Sequence, residues 1–288
     1  MRDGFLKVAA ATPDIRVADC EFNTRSIIEA IRRAERAGAK LLVLPELCMT
    51  GYTCGDLFLQ DTLLDAALLG AGAVAEATRG MDILAVFGMP FLKGNKLYNV
   101  AVAVQNGRIL GIVPKGNIPN YSEFYEARHF NPGTEWAELV SVAGQEVLFG
   151  MKLLFACREL PGFVTGIEIC EDLWCAAPPS GGLAQAGAML IANPSASDET
   201  IGKAEYRRSL VCGQSARTLT AYLYADAGEG ESTTDLVFAG HNLIAENGAL
   251  LAESERFANG MLFAELDLGR LARERRRITT FSVEGGGE

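Results

Sequence analysis

The stretch TGIEICEDLWC, residues 165–175, carries a cysteine to the end of an apolar run and sets two carboxylates directly behind it. Gly166, Ile167 and Ile169 give the run the character of a buried strand, broken only by Glu168. In open α/β sheets ligands bind beyond the carboxyl ends of strands, so a thiol at that place invites attention. A buried cysteine is ordinarily a small, inert hydrophobe. The alternative is a nucleophile whose ionisation is arranged from elsewhere in the chain, because Glu171 and Asp172 alone disfavour the thiolate.

Two further strand-like runs end in the same manner. KLLVL (40–44) leads through Pro45 to Glu46, and RILGIV (108–113) leads through Pro114 to Lys115. The three groups form a coherent chemistry. A free thiol has a pKa of about 8.5 and needs help to ionise at neutral pH. A carboxylate at Glu46 can accept its proton, and an ammonium at Lys115 can stabilise the negative charge that develops during attack. Glu46 in turn keeps Lys115 charged. Cysteine–histidine pairing is the other option, but His129 in EARHFNPG and His241 in AGHNL end no strand and read better as structural groups.

Further strand-like runs are FLKVAAA (5–11), DILAVFG (82–88), LYNVAVAV (97–104), KLLFAC (152–157), AMLIAN (188–193), AYLYADA (221–227), LVFAGHNLIAE (236–246), ALLAESE (249–255) and MLFAEL (261–266). Helical periodicity fits 20–39, where Phe22, Ile27, Ile28, Ile31 and Ala34 form one stripe and Gly38 can stop the helix. Segments 62–79 and 203–220 also read as helices. Strands mixed with helices throughout define an α/β protein with packed layers. Asn-Gly at 106–107 and at 247–248 each separate two apolar runs, the strongest short hairpin signal. The two hairpins are either an internal two-fold similarity or unrelated.

The composition excludes several classes. The 288 residues carry a formal net charge of −10, which argues against nucleic acid or an anionic membrane as the main partner. The one basic cluster, RLARERRR (270–277), reads as the solvated face of a terminal helix. Seven cysteines at irregular spacings, no CxxC and two histidines speak against a zinc site or a disulfide framework. A reduced, cytoplasmic setting is expected, with neither signal peptide nor membrane span. Residues 281–288, ending in SVEGGGE, read as a flexible tail or linker.

Taken together, LPELCMTGY (44–52), PKGNIPNYSEFYEARHFNPG (114–133) and GIEICEDLW (166–174) resemble the three motif blocks of the nitrilase superfamily of carbon–nitrogen hydrolases. The resemblance covers residues 1–280. It implies a four-layer α-β-β-α sandwich in which Glu46 is the general base, Lys115 the catalytic lysine and Cys170 the nucleophile. Glu123 matches a second glutamate that helps to hold the lysine and position the substrate.

Within that superfamily, GDLFLQ (55–60), NPSASDETIGKAEYRR (193–208) and DAGEGESTTDLVFAGHNLIAENGALLAESERF (226–257) are similar to the glutaminase domains of glutamine-dependent NAD synthetases. That likeness implies hydrolysis of L-glutamine through a thioester, with ammonia passing to a synthetase (ATP-pyrophosphatase) domain in cis or in trans that amidates deamido-NAD. It also implies that Glu171 meets the α-ammonium of glutamine, that Tyr121 and Ser197 help to hold the amino-acid end, and that Phe124 and Trp174 line the pocket. The backbone N–H of Glu171 is then a candidate oxyanion donor. No cofactor is expected for the glutaminase half; ATP and magnesium belong to the synthetase half. That half carries an SGGxDS loop, whereas SGGLAQ (180–185) lacks its Asp-Ser and reads as a turn and helix start. Homo-oligomers are implied as well. Two alternatives remain open: a stand-alone ω-amidase or carbamoyl-amide hydrolase, and a non-catalytic scaffold that docks a synthetase domain.

Overall fold

Both faces of the first strand, β1 (Phe5–Thr12), are apolar and both are buried: Val8 and Ala10 join one cluster, Ala9 and Ala11 another. A strand buried on two faces needs a layer on each side. That requirement organises the computed structural model, which describes residues 4–281. One sheet runs in the order β14 (Gly260–Asp267), β1, β2 (Leu41–Val43), β3 (Leu84–Lys93), β4 (Lys96–Gln105), β5 (Arg108–Pro114), β7 (Gln145–Phe149), β6 (Glu138–Val142). The other runs β13 (Ala249–Glu253), β12 (Leu243–Glu246), β11 (Ala221–Asp226), β10 (Leu190–Ser195), β9 (Val164–Ile167), β8 (Leu154–Ala156).

The sheets pack face to face through Val8, Leu41, Val43 and Val86 on one side and Ile167, Leu190, Leu223 and Ile244 on the other. Helices α1 (Cys20–Arg36) and α2 (Asp61–Ala77) cover the outside of the first sheet. Over the second lie α3 (Glu171–Trp174), α4 (Pro179–Gln185) and α5 (Lys203–Thr218). The result is the expected α-β-β-α sandwich. Helix α1 begins where Asp19 accepts a hydrogen bond from the Phe22 N–H at 2.9 Å, and it buries Ile27, Ile31 and Ala34 of the stripe.

The two halves share one topology. Strands β1, β2 and β3 are mutually parallel and are followed by antiparallel β4 and β5; β9, β10 and β11 are parallel and are followed by antiparallel β12 and β13. The two Asn-Gly hairpins thus occupy equivalent places, which decides for the internal two-fold similarity. Positive φ at both turn residues (47° and 80° at Asn106 and Gly107, 47° and 85° at Asn247 and Gly248) is what that dipeptide supplies.

A third hairpin, β6–β7, turns through Ala143 and Gly144 with φ of 47° and 75°. Its alanine gave no turn signal, so its strands were not expected. In 236–246 only the last four residues form strand; ahead of them the chain turns at Gly240, with φ 61°, and Asn242 accepts the Asp226 N–H at 2.8 Å. The basic cluster forms α6 (Leu268–Arg277), but it is not wholly a solvated face. Arg275 reaches the carbonyl oxygens of Leu219, Ala188 and Thr218, and burial lowers its pKa to about 10. The expected tail at 281–288 lies, beyond Phe281, outside the described residues. Among the described residues no single helix is long and apolar enough to cross a membrane.

Candidate active site

Glu46, Lys115 and Cys170 each lie just past the carboxyl end of a strand, β2, β5 and β9 respectively. The backbone at Glu46 passes so close to β3 that a Cβ at Gly88 would lie 2.1 Å from the Leu47 nitrogen, so only glycine fits there. The Glu46 N–H donates to the Ser195 carbonyl at 3.3 Å, tying one sheet to the other. Its carboxylate receives the Ala196 N–H at 2.9 Å on one oxygen, and Lys115 Nζ at 2.7 Å and Asn99 Nδ2 at 2.6 Å on the other.

Lys115 is fully buried between two carboxylates. The second is Glu126, whose Oε1 receives Lys115 Nζ at 2.6 Å and the Tyr52 hydroxyl at 2.8 Å. This corrects the expectation for Glu123, which is only half-buried and borders a side cavity of about 230 Å³ with Tyr52, Glu126 and His129. Counting from Lys115 could not separate the two glutamates, because the chain between them and the lysine is irregular. Glu126 lies where a short 3-10 turn (Glu126–Arg128) is anchored by buried Phe124 and Phe130, which fixes it inward.

These neighbours set the protonation states. Burial would discharge Lys115, but the charges of Glu126 and Glu46 override it and hold the ammonium well above its ordinary range. Burial raises Glu46 to about 7, with Glu126 adding to the rise and Lys115 opposing it. A carboxyl poised there is matched to proton transfer near neutral pH. Burial likewise pushes the Cys170 thiol well up, and the charges bearing on it are those of Glu46, Lys115 and Glu126. The sulfur therefore sits as a neutral thiol within the field of one ammonium and two carboxylates. Cys170 is buried, with 6% of the residue's surface exposed.

The two carboxylates behind the cysteine have separate duties. Asp172 turns away from the sulfur and accepts the N–H groups of Ile169 at 3.0 Å and Asn117 at 2.8 Å, together with Asn117 Nδ2 at 2.8 Å. It thereby clamps the lysine segment to the cysteine turn. Glu171 accepts the Tyr121 hydroxyl at 2.9 Å, and both side chains keep contact with solvent. Cys170 itself has φ 42° and ψ −99°, a conformation rare for a residue with a side chain.

Of the remaining expected residues, Phe124 packs on Tyr121, Trp174 shares Lys203 with Phe124, and Ser197 is tied instead to Asp226 and Arg207. Phe124 meets the Tyr121 ring edge-on at 5.8 Å. Lys203 Nζ, which the sequence did not single out, lies 5.4 Å over Phe124 and 5.5 Å over Trp174 and is paired with Asp198. Ser197 is buried. Its N–H donates to Asp226 at 2.8 Å, and its Oγ accepts from Arg207 at 3.1 Å, leaving its own proton to donate. The histidines serve structure: His129 meets Asp56, and His241 lies between Arg207 and Glu253. Arg207 can only donate, so His241 Nδ1 accepts and Nε2 carries the proton. Among the described residues no group of three His, Cys, Asp or Glu side chains is arranged to hold a metal ion.

This sandwich, with an acid, an amine and a thiol at three strand ends, matches a known class. Residues 7–276 match the carbon–nitrogen hydrolase family, and the chain belongs to it. Among its relatives is the glutamine-dependent NAD(+) synthetase of Mycobacterium tuberculosis H37Rv, 47% identical over 283 residues, which cover 96% of this chain and 41% of that protein. The chain thus spans about two-fifths of the length of such relatives. The crystal structure of a glutamine-dependent NAD(+) synthetase from Cytophaga hutchinsonii superposes with a TM-score of 0.82 at 30% identity, over 91% of this chain and 43% of that one. A nitrilase-superfamily amidase from Nesterenkonia shares the fold along 96% of both chains, at a TM-score of 0.74 and 21% identity.

Proposed function

We propose that the chain is a glutaminase: it hydrolyses the side-chain amide of L-glutamine to glutamate and ammonia, with the ammonia destined for ATP-dependent amidation of deamido-NAD by a synthetase domain. The observation that carries this reading is the joining of two features. A buried Glu46–Lys115–Glu126 group bears on the Cys170 thiol, and the Tyr121–Glu171 pair stands beside that thiol at the solvent side. The first performs amide hydrolysis in general; the second supplies an anion for the α-ammonium of an amino acid.

In the proposed reaction the sulfur of Cys170 attacks the amide carbon as its proton passes to Glu46. The tetrahedral oxyanion is stabilised by the Lys115 ammonium and by the N–H of Glu171, the first residue of α3 and so without an intrahelical partner. Glu46 then returns the proton to the nitrogen, the C–N bond breaks, and ammonia leaves a γ-glutamyl thioester. Water adds to the thioester with Glu46 again taking a proton, and the thiolate leaves and is reprotonated as glutamate departs. No step calls for a cofactor or metal. The reducing cytoplasm is the setting that keeps such a thiol competent.

Two results are expected. Glu171→Gln removes a charge-assisted contact worth about 1.5–3 kcal/mol, so KM for glutamine rises roughly ten- to a hundredfold. Hydrolysis of a small amide without an ammonium, such as propionamide, changes little. Equal loss on both substrates would place Glu171 outside substrate reading and favour the small-amide hydrolase that the amidase-like frame also permits. The second concerns pH. Glu46 must be ionised to accept the thiol proton, and its pKa stands at about 7, so kcat/KM falls as the pH drops through that value. A flat profile down to about pH 5 would remove Glu46 from that role.

A further inference from the structure

Glu168, the one charge within the apolar run of β9 and its extension, takes no part in the chemistry above, yet it is buried to 1% exposure. It lies on the outer face of the second sheet, beneath α4 and α5, and ends an ordered chain of hydrogen bonds. The Cys170 N–H donates to Asn193 Oδ1 at 3.0 Å, and Asn193 Nδ2 donates to the Tyr222 hydroxyl at 2.8 Å. The Tyr222 hydroxyl then donates to Glu168 Oε1, while the Ser180 N–H donates to Oε2 at 2.7 Å. Every link points towards the carboxylate. The orientation of the Asn193 amide is fixed, since reversing it would set an NH2 group against the Cys170 N–H.

Asn193 also joins the two reacting groups. Its Oδ1 accepts the Ser195 hydroxyl at 2.7 Å, and the next residue, Ala196, sends its N–H to the Glu46 carboxylate at 2.9 Å. One amide oxygen thus bonds both the backbone of the thiol, whose N–H it shares with the Pro194 carbonyl at 3.0 Å, and the segment that holds the carboxylate. The Cys170 backbone, at φ 42°, persists only if its surroundings over-determine it. Burial raises the Glu168 carboxyl to about 7, and donors aligned on one acceptor polarise one another, which strengthens the first link of such a chain.

We propose that Glu168 is a positioning residue for Cys170, acting through Tyr222 and Asn193 to hold the thiol against Glu46. The proposal rests on Cys170 being the nucleophile. Tyr222→Phe cuts the chain but also leaves Glu168 Oε1 buried without its donor, the Ser180 N–H on Oε2 remaining. The double variant Glu168→Gln/Tyr222→Phe removes that carboxyl while keeping an acceptor for the Ser180 N–H. Alkylation of Cys170 by chloroacetamide, followed by peptide mass spectrometry, reads thiol placement without any assumption about the substrate. In both variants alkylation and glutamine kcat fall roughly tenfold, the scale of one relaxed strained residue, with KM held within about twofold. The melting temperature falls in Tyr222→Phe and recovers in the double variant. Return of alkylation and kcat together with the melting temperature would reduce Glu168 to a structural role and overturn the proposal, as would wild-type alkylation in Tyr222→Phe. Slowed alkylation in variants of a protein that does not hydrolyse glutamine would uphold the positioning role and refute only the choice of substrate.

Discussion

Cys170→Ala will abolish ammonia release from glutamine while leaving the fold intact. The loss of kcat is expected to exceed about 10⁴-fold, since a removed nucleophile leaves only binding and oxyanion stabilisation. Stability should change little. The backbone at Cys170 is held by its N–H, shared between Asn193 Oδ1 and the Pro194 carbonyl, each at 3.0 Å, and alanine preserves both contacts. Circular dichroism and the melting temperature check the fold, and a coupled glutamate assay checks the activity. Sustained hydrolysis by the variant would mean that the thiol is a bystander and that water is activated directly.

The second large effect separates two neighbouring glutamates. Glu126→Gln takes one of two carboxylates from a fully buried ammonium and sets an NH2 group near Lys115. Breaking a buried pair in this way costs about 3–5 kcal/mol. Loss of a preorganised charge beside the reacting atoms lowers kcat by roughly 10²–10³-fold. Glu123→Gln, three residues earlier and away from the amine, changes kcat by less than about twofold, as half-exposed substitutions ordinarily do. The opposite ranking, measured as kcat and melting temperature side by side, would restore Glu123 as the partner of Lys115.

That pair also shows where sequence reasoning reaches its limit. Glu46, Lys115 and Cys170 could be read because each follows a short apolar run, and strand ends are where α/β sheets place ligands. The Asn-Gly hairpins could be read because the dipeptide meets a backbone demand, and they revealed a real two-fold similarity of topology. The β6–β7 hairpin could not, since Ala143 adopts the same left-handed conformation without advertising it. Glu126 reaches the lysine from a short 3-10 turn, while Tyr52 and Asn99 bond the carboxylates of Glu126 and Glu46 that hold it, and none of these contacts between distant segments is announced by a local pattern. Arg275 illustrates the same gap: a run of arginines does not say which one turns inward to cap carbonyls. The motifs located the reactive groups, and only the packing disclosed what holds them.

The central claim is that one of seven cysteines, Cys170, is a glutamine-directed nucleophile. Treating the protein with a glutamine-analogue diazoketone and mapping the adduct by peptide mass spectrometry tests it most directly. The account predicts one adduct, on Cys170, formed in step with loss of activity and suppressed by excess L-glutamine. Labelling of another cysteine, or full glutamine hydrolysis by protein quantitatively modified at Cys170, would contradict it.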